Sequence, residues 1–163
     1  MLCSAVYAMA ADYAVTPVNA DGSAADLSAK VPAILTALTI ELRAIADIYC
    51  RKTGEMEGRF QPVEVTALTD RFPLPERFAP AAALYLASML SLYACDLDYR
   101  GSDTDSSVED GSSEKSESES RRNRSVCLKV SDTLYRRYER SLEALMAEFP
   151  AVTESITDRY ANV

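Results

Sequence analysis

Six apolar residues, Val31, Leu35, Leu38, Leu42, Ile45 and Tyr49, recur at intervals of 4, 3, 4, 3 and 4. On a helix, side chains three and four positions apart share a face, so this spacing makes one continuous apolar stripe, flanked here by Ile34, Ala46 and Ile48. A stripe of that kind must be covered by other helices, which commits the chain to helix packing. Asp26 and Ser28 are good N-caps, and Pro32 is tolerated in a first turn. Gly54 is suited to terminate the segment, with Arg51 and Lys52 placed to interact with the last carbonyls. The pattern predicts one helix from about residue 28 to residue 53.

Three further segments share the helical period. Leu2 to Asp12 places Val6, Met9, Ala10 and Tyr13 on one face, and Thr16-Pro17 breaks it. From about Glu76 to Leu97 the apolar residues Phe78, Ala82, Tyr85, Leu86, Met89, Leu90, Leu92 and Tyr93 cover more than one face, as expected of a helix central to a bundle. From about Val126 to Phe149 a stripe runs through Val130, Leu134, Tyr135, Tyr138, Leu142, Leu145 and Met146, and Pro150 closes it. Thr153 to Tyr160 predicts a short tail helix. The nine core anchors expected from these stripes are Leu35, Leu38, Leu42, Ile45, Leu86, Leu90, Leu134, Tyr138 and Leu142.

Two stretches break the helical pattern. Between Met56 and Asp70, Gly58, Pro62 and the alternation of Val63, Val65 and Ala67 predict an extended arm or a short strand. A lone strand must lie over the helices, pair with another segment or pair with a neighbouring subunit. Residues 101–120, GSDTDSSVEDGSSEKSESES, hold eight serines, seven acidic residues and one aliphatic side chain, Val108. Such a run cannot bury enough apolar surface to offset chain entropy, which predicts a disordered loop. The expected fold is all-α: a four-helix orthogonal or bundle-like core with one extended arm or short strand and a long disordered acidic loop. It forms one domain over 1–163, with an N-terminal segment 1–25, a helical core of 26–100 and 126–160, and the loop at 101–125.

The chemistry-bearing residues are sparse. The chain has no histidine, the usual general acid–base group. It has no GxSxG elbow, P-loop or GxGxxG turn. Cys3, Cys50, Cys95 and Cys127 are scattered without a CxxC pair, which gives no zinc spacing and predicts buried reduced thiols. Glu139 and Glu143 lie one turn apart but lack the Glu-x-x-His partners of carboxylate metal sites. No catalytic, cofactor or metal residue is therefore expected, and Glu41, Asp47, Glu139 and Glu143 read as solvated helix faces.

A net charge of −8 opposes binding to phosphate backbones, because affinity for DNA rests on Lys and Arg displacing counterions. The one dense basic cluster, Arg121, Arg122 and Arg124, adjoins the acidic run and balances it. The segment MLCSAVYAMAADYAV lacks the basic residues of a secretory signal. Ala81 to Leu97 falls short of the roughly 20 apolar residues that span a bilayer. Neither sequence-specific nucleic-acid binding nor membrane association is expected.

A likeness to a known family is carried by three stretches: Asp70 to Phe78 (DRFPLPERF), the nearly all-apolar helix Ala81 to Leu97, and Leu134 to Leu142 (LYRRYERSL). Pro32 to Arg43 (PAILTALTIELR) fits the long first helix of the same pattern. Across about residues 26–100 and 126–149 the chain resembles the head–tail connector, or adaptor, proteins of tailed bacteriophages and prophages. The acidic run and the N-terminal segment are both longer than that pattern carries. The resemblance implies a non-enzymatic structural protein, made in the cytoplasm of a bacterial host and then built into the virion neck. Several copies would form a homo-oligomeric ring at the portal vertex, extend the DNA channel and dock the tail, so the implied partners are portal and tail proteins. An acidic lumen suits a conduit, because it repels phosphate and lets the duplex slide. The arm, with Arg59, Phe60, Val63, Val65 and Leu68, would be the candidate subunit interface; the simpler alternative packs it on its own bundle.

A competing reading makes the chain a monomeric interaction module whose acidic loop captures a basic partner, with its serines open to acidophilic kinases. A third, an enzyme acting through a bound metal, would require stoichiometric metal in purified protein.

Overall fold

A computed structural model describes residues 1–14, 26–54, 59–102 and 113–148, with only the backbone described for 96–102, 113–121 and 123. Five helices carry the fold: α1 (Cys3–Ala11), α2 (Val31–Glu41), α3 (Arg43–Thr53), α4 (Ala79–Ser102) and α5 (Ser113–Ala147). Single 3₁₀ turns at Ser28–Lys30 and Glu76–Phe78 lead into α2 and α4. The expected all-α class is what the chain adopts, and among the described residues there is no strand.

α4 is the hub. Ala79, Ala81, Ala82, Ala83 and Ala87 are buried along it, and their small side chains let α1, α2 and α5 approach closely. Leu86 and Leu90 fill the space between, each contributing about 1.5–3 kcal/mol by leaving water. α5 returns antiparallel along α4. Ser88 and Ser131 each donate to the other's backbone carbonyl at 3.0 Å, at a crossing where larger side chains would hold the helices apart. Arg77 and Glu148 pair at 3.1 Å, joining the start of α4 to the end of α5. By length and composition Glu76–Cys95 could cross a membrane (20 residues, mean hydropathy 1.5), but 72% of that stretch is buried here, as befits a core helix.

The stripe from Val31 to Tyr49 is carried by two helices rather than one. Leu42 lies between them at ψ 3°, while its N–H still donates to Leu38 O and its carbonyl accepts from Ala46 N–H, both at 2.9 Å. Just before this elbow, the Thr36 and Thr39 hydroxyls donate to the carbonyls four residues back, Pro32 O at 2.9 Å and Leu35 O at 2.8 Å. Such back-bonding bends helices. The stripe survives the elbow: Val31, Leu35, Leu38, Leu42 and Tyr49 are buried and Ile45 half-buried. Gly54 ends α3 at φ 70°, as its position predicted.

α5 begins at Ser113, well before the expected Val126, and α4 runs on to Ser102. The expected loop is therefore shortened from both ends, and its remainder, 103–112, lies outside the described residues. The order of charge along the sequence favours this extension. Acidic residues come first and arginines follow, and helix dipoles prefer negative charge near their start. The expected tail helix at 153–160 also lies outside the described residues.

The N-terminal helix starts where expected and is capped from elsewhere in the chain. Its first amides, Cys3 N–H and Ser4 N–H, donate to Asp70 O and Leu68 O at 2.9 Å, satisfying two donors that a helix start leaves unpaired. Leu2 and Arg71 form an isolated antiparallel bridge beside them. All four cysteines are buried and none is in a disulfide, as expected, and burial pushes the Cys3 thiol up from its ordinary value.

Candidate functional site

Residues 59–70 run as an extended arm along the outside of α2 and α3, fixed at both ends. Near its start, Phe60 N–H donates to Asp47 Oδ1 at 2.9 Å. Near its end, Val65 N–H donates to Thr36 Oγ1 at 2.9 Å. Asp47 and Thr36 are eleven residues apart on the helices, about 16 Å of rise, and the five-residue step from Phe60 to Val65 spans a similar length when extended. The arm thus runs antiparallel to the helical pair. It closes in a turn where the Asp70 carboxylate accepts Thr66 N–H, Ala67 N–H and the Thr66 hydroxyl at 2.8–2.9 Å. These bonds hold the Asp70 carboxyl below its ordinary value, the Thr66 amide contributing most.

The arm's side chains divide. Phe60 (2% exposed) and Val65 (5%) enter the core of their own chain, and Leu68 packs half-buried against it. Arg59 and Val63 (58% exposed) face outward. Of the five residues expected at a subunit interface, two are used internally, one is partly used, and Arg59 and Val63 stay open to a partner.

Where the arm leaves α3 it forms one wall of an open groove of about 430 Å³, lined by Ile40, Glu41, Arg43, Ala44, Asp47, Arg51, Arg59 and Phe60. Asp47 is doubly engaged: its other carboxylate oxygen accepts Arg51 at 2.7 Å. Glu41 accepts the Tyr138 hydroxyl at 3.3 Å. Among the described residues, no carboxylate lies within ion-pairing distance of Arg43 or Arg59. The groove therefore sets three arginines against the two carboxylates of Glu41 and Asp47, with Arg43 and Arg59 outside any ion pair, and it also holds Ile40, an aliphatic side chain 60% exposed. On a chain of net charge −8 this is a local reversal of sign.

Behind Glu41 stand three tyrosines. Tyr85 and Tyr138 have ring centroids 5.1 Å apart, and Tyr135 and Tyr138 are 5.5 Å apart, both tilted as aromatic pairs prefer. Burial first, and then the Glu41 charge, raises all three hydroxyls above the ordinary tyrosine value, Tyr138 the most. The cluster is a packed wall between α2, α4 and α5 that ties the groove to the core.

The nine expected core anchors come together. Leu35, Leu38, Leu42, Leu86, Leu90, Leu134 and Tyr138 are buried in one cluster, with Ile45 and Leu142 packed half-buried against it. Glu139 and Glu143 are exposed on α5. The groove itself had no motif to announce it. Arg43, Arg51 and Arg59 stand eight residues apart in sequence, and only the return of the arm brings Arg59 beside the other two. No family model, curated protein or solved structure matches this chain.

Proposed function

We propose that this chain is a structural assembly protein of the head–tail connector class, several copies of which join a portal to a tail. The observation that carries this reading is the way the three resembling stretches pack. Phe72, Leu74 and Phe78 of the first, Leu86 and Leu90 of the second, and Leu134 and Tyr138 of the third are buried in one cluster. The likeness thus belongs to a single folded unit and not to unrelated parts of the sequence. The arm adds to it by presenting Arg59 and Val63 on a rigid, outward-facing edge. A ring protein needs such an edge, because each copy must show its neighbour a surface its own core does not consume.

Sequencing the DNA that flanks the reading frame tests this reading. Terminase, portal and capsid genes on one side and tail genes on the other are the expected result. A reading frame set among metabolic genes would overturn it.

A further inference from the structure

We propose that the groove between Arg43 and Arg59 receives the acidic segment Asp103–Asp110 of a second copy of this chain. This names the contact between copies that the assembly reading requires, and it rests on that reading.

Three observations lead to it. The first is charge. Arg43 and Arg59 have no carboxylate within ion-pairing distance among the described residues, Arg51 and Asp47 neutralise one another, and with Glu41 counted the lining still carries one positive charge in excess. The second is pattern. Exposed Ile40 lines the groove together with those cations, and exposed Val63 lies on the arm between its two anchoring bonds at Phe60 and Val65. The segment DTDSSVED has the complementary order, with acidic Asp103 and Asp105 on one side of Val108 and Glu109 and Asp110 on the other. Val108 matches Ile40 and Val63, and the carboxylates match the guanidiniums, a pairing that Arg makes with two parallel hydrogen bonds.

The third observation is reach, and it selects a second copy over the same chain. Glu41, at the near end of the groove, is held by Tyr138, which packs on Tyr85. From Tyr85, α4 continues to Ser102, about 25 Å further at helical rise. α3 leads away from that tip, since Tyr49 packs on Phe78 with ring centroids 5.4 Å apart. Residues 103–112 are ten in number and tethered at Ser102 and Ser113. Fully extended, their middle reaches about 20 Å from Ser102, against about 25 Å along α4 to the level of Tyr85, which stands behind the groove. That geometry favours an occupant from another copy over the chain's own segment. A groove on one copy and a segment on the next make a head-to-tail contact, the kind that closes into rings.

The test uses a fluorescent peptide of residues 101–112 and the full-length chain with its own run neutralised (D103N, D105N, E109Q, D110N). Anisotropy should show saturable binding that weakens as salt rises and falls about tenfold or more when R43E and R59E are added. A peptide with its acidic residues changed to lysine should prefer the R43E/R59E chain. Both arginines are exposed, and circular dichroism checks that the helices are intact. Absent binding, or equal binding to both chains, overturns the proposal. Sedimentation velocity separates the two readings. Self-association that persists in R43E/R59E upholds assembly and overturns this contact. Peptide capture by a chain that never co-purifies with a portal upholds the contact and overturns the connector reading.

Discussion

Val65 N–H donates to Thr36 Oγ1 at 2.9 Å while the same hydroxyl donates to Pro32 O at 2.9 Å, so one threonine both bonds its own helix and pins the arm. Changing Thr36→Val keeps the shape and removes the acceptor, leaving the Val65 amide without its partner. An unmet buried donor costs about 1–3 kcal/mol. Urea unfolding of Thr36→Val should fall in that range, and Thr36→Ser, which keeps the hydroxyl, should lose well under half as much. Equal losses in the two variants would mean that the methyl group, not the bond, matters.

Gly54 ends α3 at φ 70°, and a Cβ placed there would meet nothing within 4 Å. The cost of Gly54→Ala is therefore conformational alone, about 1 kcal/mol. Chemical denaturation should show that loss with an unchanged slope. A neutral substitution would show that the left-handed terminator is dispensable.

Asp70 closes the arm by accepting two amides and a hydroxyl, which depresses its carboxyl in the folded state. A carboxyl depressed on folding contributes stability that is fully present above the unfolded value, about 3.9, and lost as pH falls through the lower folded value. The denaturation midpoint should thus decline as pH drops below about 4. Asp70→Asn retains an acceptor but not the titrating charge, and should flatten that part of the acid limb. An acid limb identical to that of the unaltered chain would contradict this role for the turn.

Tyr85, Tyr135 and Tyr138 behave with the opposite sign in alkali. Burial and the Glu41 charge raise their hydroxyls on folding, so their contribution is fully present below the ordinary value of about 10 and is lost as pH rises through the folded values. Tyrosinate absorbance should rise in two stages, exposed residues first and this cluster later. Tyr138→Phe keeps the ring packing and removes the bond to Glu41, at about 0.5–1.5 kcal/mol. A single alkaline transition near the ordinary value would contradict the packed wall.

The sequence made the helices legible where periodicity was strong. The stripe from Val31 to Tyr49, the Gly54 terminator and the alanine-rich hub needed only spacing and residue size. The Leu42 elbow was less visible, because the apolar period runs through it unbroken and the bend accompanies hydroxyl–carbonyl bonds at Thr36 and Thr39. The early start of α5 at Ser113 was hidden by composition, since serine and acidic content reads as loop unless the order of charge is weighed. The arm was recognisable as extended, yet alternation alone could not say that Phe60 and Val65 would turn inward while Arg59 and Val63 turned out. The groove was not legible at all, for its cations are distant in sequence and meet only through the bonds from Phe60 to Asp47 and Val65 to Thr36.

Co-expression with a portal protein, taken from the flanking genes if the connector reading holds there, followed by mass measurement of whatever co-purifies, tests the central claim most directly. The account predicts one complex containing the portal and several copies of this chain. A chain that purifies alone as a monomer, with the portal left behind, would contradict it.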